Sequence, residues 1–137
     1  MTEQQRVPSA QARDRARLRG RIGQFHRHFG RGNWPKCYEY LDPRLRDGAK
    51  VEYGAYAKSL AAFREYYGPV QIDHIRLSIH PGGRNTKRDP RDFAYAYVFW
   101  KDNRHAFHLF RERWVKEGGT WYTRVAGLVV RETADGG

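Results

Sequence analysis

The chain predicts an α+β fold: three N-terminal helices packed on a strongly curved, four-stranded, mostly antiparallel sheet. Three observations carry this. Apolar residues recur with helical spacing up to Tyr67, the period changes to two after Gly68-Pro69, and two tight-turn signals, Asp102-Asn103 and Gly118-Gly119, divide the second half into strands. With 137 residues there is room for one domain and a sizeable core.

Residues 1–8 read as a disordered lead, and the domain as 9–131. Ser9 suits an N-cap for a first helix in which Leu18, Ile22, Phe25 and Phe29 form one apolar stripe, with Gly30 or Gly32 as its stop. "NWPKCYEYLDP" predicts a short second helix, capped by Asn33 and carrying Pro35 in its first turn. Trp34, Cys37, Tyr38 and Leu41 make its apolar repeat, and Pro43 ends it. In the third helix Tyr53, Tyr56, Leu60, Phe63 and Tyr67 follow a 3-4-3-4 spacing that Gly68-Pro69 closes. "VQIDHIRLSI" alternates as a strand, with Ile75, Leu77 and Ile79 on one side and His74, Arg76, Ser78 and His80 on the other. A basic Gly/Pro-rich loop follows, whose glycines lack the spacing of a phosphate loop. "FAYAYVFWK", "HAFHLFRERWVK" and "WYTRVAGLVVR" are the other strands, and residues 132–137 a flexible tail.

Lys plus Arg is 26 and Asp plus Glu is 15, so the formal charge is 26 − 15 = +11. Such a chain attracts anions. Within residues 1–31 eight arginines face Glu3 and Asp14, which places +6 of that charge there. These arginines surround the first helix rather than striping it, which favours a solvated surface over a dedicated nucleic-acid edge. Cys37 is the only cysteine, excluding an internal disulfide and a cysteine-based zinc cluster. The histidines at 26, 28, 74, 80, 105 and 108 project in different directions, so no metal site and no cofactor are expected. The N-terminus has no apolar signal core and no apolar run is long enough for a membrane span, so the default expectation is a soluble cytoplasmic protein.

Two-residue turns at both hairpins would pair Lys101 with Arg104 and Glu117 with Thr120. Tyr97 then lies opposite His108, Tyr95 opposite Phe110, Phe93 opposite Glu112, and Arg113 opposite Arg124. One face would carry Phe93, Tyr95, Tyr97 and Phe99 beside His108, Phe110, Glu112 and Trp114, then Val125 and Gly127. The other would carry Ala94, Ala96, Val98 and Trp100 beside Phe107, Leu109, Arg111 and Arg113, then Tyr122, Arg124 and Leu128. A three-residue loop at Asp102 would invert the first pairing, because side chains alternate with period two.

Three helices followed by a curved antiparallel sheet, with Gly-Pro after the long third helix, resemble the nuclear transport factor 2-like superfamily. "FHRHFGRGNWPKCYEYLDPRLR" looks like its first helix, corner and second helix, "YAYVFWKDNR" its central hairpin, and "RERWVKEGGTWYTRVAGLV" its closing hairpin. The family includes SnoaL-like polyketide cyclases, ketosteroid isomerases, scytalone dehydratases and limonene epoxide hydrolases. The resemblance implies a cone whose interior is a pocket and whose outer sheet face makes a dimer. The acid pair of the isomerases, the Asp-Arg-Asp cluster of the epoxide hydrolases and the His/Asp/Tyr set of the dehydratases occur here only in fragments.

The candidate acid–base residues are therefore Tyr97 and His108, with Glu112 as a carboxylate among rings. Glu112 stands about 13 Å along the strand from His108, too far for a dyad. Tyr53, Tyr56, Phe63, Tyr95, Phe110 and Trp114 are the expected ligand-binding rings. Arg111, Arg113 and Arg124 are a candidate anion site, to be met by solvent, by a carboxylate such as Glu117 or Asp73, or by an anion. The face holding Tyr95, Tyr97, His108 and Glu112 is expected to point under the helices, since burying three guanidinium groups there would need several carboxylates. The leading expectation is a pocket for an unknown small apolar or aromatic molecule, with acid–base chemistry. The alternatives are a noncatalytic assembly domain and an anion or nucleic-acid binder. A homodimer is expected through the outer sheet face, where Val98, Trp100, Phe107 and Leu109 would leave a large apolar patch.

Overall fold

The computed structural model describes residues 9–83 and 89–124. The expectations for the lead, the tail and the second half of the last strand, including Val125, Gly127 and Leu128, lie outside them. The described chain is α+β, with four helices and one four-stranded antiparallel sheet. The helices are α1 (Ala10–Gly30), α2 (Trp34–Glu39), α3 (Pro43–Arg46) and α4 (Tyr53–Tyr67), and a short 3-10 turn, Asp47–Ala49, follows α3. The strands β1 (Gln71–His80), β2 (Phe93–Lys101), β3 (Phe107–Glu117) and β4 (Thr120–Thr123) lie side by side in chain order.

The helical stripes form the core as the spacing predicts. Leu18, Ile22, Phe25 and Phe29 of α1 are buried, as are Tyr56, Leu60 and Phe63 of α4. Ser9 caps α1 by accepting from the Ala12 N–H, and Asn33 caps α2 by accepting from that of Lys36. The carbonyl of Gly30 at the end of α1 accepts from Arg64 of α4, at 2.8 Å from Nε and 2.5 Å from Nη2, which ties the two long helices together. The unexpected helix α3 starts at Pro43, where Asp42 accepts from the Arg44 N–H. Pro43 therefore opens a turn of helix rather than simply ending one.

The β3–β4 hairpin has the expected register, with Glu117 opposite Thr120 and Trp114 opposite Thr123. The β2–β3 hairpin does not. Lys101 pairs with Phe107 across a five-residue loop, so Tyr97 faces Arg111, Tyr95 faces Arg113, Phe93 faces Val115 and Trp100 faces His108. The cause is Asp102. Its carboxylate accepts from the Arg104 and Ala106 N–H groups, its own N–H donates to the Ala106 carbonyl, and His105 takes a left-handed φ of 67°. The loop is also held from outside, because the Asn103 N–H donates to Tyr67 O at the end of α4.

The odd displacement exchanges the faces of β2. Ala94, Ala96, Val98 and Trp100 are buried beneath the helices with Glu112 and Trp114, and Phe93, Tyr95, Tyr97 and Phe99 lie on the opposite face. The dimer patch expected from Val98 and Trp100 therefore reduces to Phe107 and Leu109, which are 72% and 53% exposed. At the free edge of β1, Arg15 and Arg19 of α1 donate to the carbonyls of Leu77 and Ile75.

Candidate functional site

Small residues on β2 leave room for a polar couple inside the core. Ala96 stands opposite Glu112 and Ala94 opposite Trp114, and both alanines are fully buried. Glu112, 1% exposed, meets His26 of α1, 4% exposed, with 2.7 Å between Oε2 and Nε2. The other carboxylate oxygen, Oε1, accepts from Trp114 Nε1 at 2.9 Å. A bond this short between a carboxylate and an imidazole holds one proton between the two groups.

Rings enclose the couple. His26 lies parallel to Phe110 at 6.2 Å and edge-on to Phe25 at 5.1 Å. Phe110 in turn contacts Phe63 at 5.6 Å and stacks on Trp100 at 4.7 Å. Tyr56 donates to the carbonyl of Cys37, and burial pushes its hydroxyl well above the usual phenol range, with Cys37 and Glu112 adding to the effect. The Cys37 thiol is raised to about 12 by burial, so it is no nucleophile in the folded chain. Two buried polar atoms on this face, His26 Nδ1 and Trp100 Nε1, have no hydrogen-bond partner among the described residues. Each belongs to a ring packed against Phe110.

Of the expected site residues, the fold gathers Tyr56, Phe63, Phe110, Glu112 and Trp114. Tyr53 is 38% exposed, in edge contact with Tyr38. Tyr95 and Tyr97 lie on the opposite face of the sheet, so no Tyr97–His108 pair exists. His108 points to the helical side but towards the end of α4, where its Nε2 is 2.8 Å from Asp102 Oδ2 and its ring stacks on Trp100 at 4.5 Å. The missed member is His26. It stands four residues after Ile22 and eight after Leu18, and an imidazole within an apolar stripe was the available signal.

The three candidate anion-binding arginines do not form one site. Arg111 lies over Tyr95 at 5.0 Å and Arg113 over Phe93 at 4.8 Å, both on the outer face. The Arg124 side chain turns to Asp42 at 2.9 Å, a carboxylate other than the two expected. Asp42 is fully buried and belongs to a network centred on Arg91, whose five N–H donors reach Asp42 twice, Asp89 twice and Glu117 once, at 2.7–2.9 Å. Arg44 joins through Glu117. Arg44, Arg91 and Arg124 balance Asp42, Asp89 and Glu117, and the donors of Arg91 are used up, which makes the cluster a structural clamp.

Grooves of about 280 to 500 Å³ run along α1, between arginine stems and residues such as Gly20 and Trp121. Neither His26 nor Glu112 lines any of them. Among the described residues no group of three or more His, Cys, Asp or Glu is placed to hold a metal ion, and no helix is long and apolar enough to cross a membrane. Compared with protein-family models, curated proteins and solved structures, the chain matches none.

Proposed function

We propose that the chain is a cone of the nuclear transport factor 2-like kind that binds a small, ring-containing molecule between its helices and sheet. In this reading His26 exchanges a proton with the ligand's carbonyl or hydroxyl group. The observation that carries it is the buried Glu112–His26 couple, whose second imidazole nitrogen has no partner among the described residues. With Nε2–H donated to Glu112, Nδ1 is left as the basic nitrogen. A proton taken up at Nδ1 creates an imidazolium that the carboxylate stabilises, while Trp114 Nε1–H keeps that carboxylate hydrogen-bonded. The Trp100 indole N–H is a second, donor-only contact one ring away. Aromatic walls suit a ligand whose body is apolar and whose polar end is small.

The test uses the indole N–H resonance of Trp114 as a reporter. Titration with 1-indanone or 2-naphthol should move it saturably in the wild-type chain, and His26→Gln should weaken the response at least tenfold. Exchange of the enolisable protons of 1-indanone into deuterated water should be accelerated by the wild type and lost in Glu112→Gln. If neither probe moves the Trp114 resonance, the interior is plain core and the reading fails.

A further inference from the structure

The face of the sheet turned away from the helices is unlike an ordinary solvated surface. On β2 it presents Phe93, Tyr95, Tyr97 and Phe99 at alternate positions, about 7 Å apart along the strand. Tyr97 stands between Arg76 of β1 and Arg111 of β3, one on each side in register. Its neighbours are already in stacking contacts. His74 lies flat on Phe99 at 4.3 Å, His80 on Phe93 at 5.0 Å, and Arg111 covers Tyr95. The face is open from Phe107 to Arg111, whereas Arg113 is half-buried and Val115 beyond it is buried.

We propose that this face binds single-stranded nucleic acid. Tyr97 and the exposed ring of Phe107 accept unpaired bases by stacking, and the guanidinium groups on both sides of Tyr97 meet the phosphates. Charge decides the occupant. Arg76, Lys101, Arg111 and Arg113 point to this face. The nearby acids are engaged, Asp73 with His74 and Glu117 with Arg91 and Arg44. A second copy docked by two-fold symmetry would bring these cations against their own equivalents, whereas a polyanion is drawn to them. The net charge of +11 acts in the same direction at longer range. A duplex fits the row poorly, because its bases are stacked on one another and offer no free ring face. The proposal is independent of the interior site.

The experiment is fluorescence anisotropy of the full chain with labelled oligothymidylate and oligouridylate of about 20 nucleotides, beside a duplex of equal length, at about 50 and 200 mM salt. Both single strands should bind more tightly than the duplex, and their ratio tells DNA from RNA as the preferred strand. Tyr97→Leu, which keeps apolar volume but removes the ring, should weaken single-strand binding about 5- to 100-fold and leave the duplex unchanged. Phe107→Ser removes an exposed ring without touching the core and should act in the same direction. Arg111→Gln should lower affinity for every probe and reduce the salt slope by about one. Equal affinity for single and double strands, with no effect of either ring variant, would overturn the proposal. So would sedimentation at twice the monomer mass of 16.1 kDa, abolished by Phe107→Ser, since the face would then belong to a second copy.

Discussion

Glu112 is at once a stability element and the centre of the proposed site. It accepts from Trp114 and pairs with His26 where no water reaches, so its removal strands two partners at once. Glu112→Leu should cost about 3 kcal/mol in urea unfolding, whereas Glu112→Gln, which keeps an acceptor for the indole, should cost about 1 kcal/mol. Cys37 tests the packing around it. With its thiol buried and raised to about 12, alkylation should follow unfolding of the chain rather than the thiol's own reactivity, and should accelerate in step with added urea. Asp102 supplies a pH test. His108, with the backbone N–H groups of Ala106 and Arg104, holds its carboxyl at about 2, against about 3.9 in an unfolded chain. A depressed carboxyl stabilises the fold above the unfolded value and loses that contribution as pH falls from about 4 towards 2. The stability gap between wild type and Asp102→Asn should therefore close as pH falls from about 4 towards 2, as read from urea midpoints.

The β2–β3 hairpin is the element on which the site's composition turns. Asp102-Asn103 between alternating strands is a fair signal for a two-residue turn. The carboxylate of Asp102 instead organises a longer loop, and α4 holds that loop by its last carbonyl, that of Tyr67. Gly68 lies at this junction with φ of 79°, and a Cβ there would come within 2.8 Å of the Asn103 side chain. Gly68→Ala should destabilise the chain by about 1–2 kcal/mol through backbone strain and displacement of the loop, measured by thermal unfolding. The first helix has a second use. Arg15 and Arg19 occupy the open carbonyls of β1, which blunts an edge that would otherwise pair with another strand.

Across the whole molecule, two polar clusters divide the work. The Arg91 clamp joins the start of α3, the segment before β2 and the β3–β4 hairpin, through charges that sum to zero. Asp42 and Asp89 are held in their ionised forms. Asp89 is kept at about 2 chiefly by Arg91, and Asp42 is low because Arg91, Arg44 and Arg124 outweigh the opposing effect of burial. Arg91→Met should cost about 3–5 kcal/mol, because the Asp42 carboxylate stays buried with fewer partners. Arg91→Lys should recover little of it, since an ammonium cannot make the paired fork. Equal stability of Arg91→Met and wild type in urea would show that the clamp is dispensable.

The amino-acid pattern was sufficient for what depends on near neighbours. The stripe of α1, that of α4 from Tyr56 onwards, the caps Ser9 and Asn33, the strands within the described residues and the β3–β4 register follow from periods, caps and a glycine turn that are local and act alone. Tyr56, Phe63, Phe110, Glu112 and Trp114 were legible as site residues because each lies on a stripe or face that must be buried in either register, or because its strand parity was read correctly. Tyr95 and Tyr97 were misplaced because a register depends on which loop wins. That choice rested on one carboxylate and on the end of a helix more than 30 residues away in sequence, as the Asn103–Tyr67 bond shows. The couple of His26 and Glu112, 86 residues apart, could not be read from spacing at all. Period says which side of its own element a residue occupies, but only the packing of α1 against β3 brings these two sides together and excludes water between them.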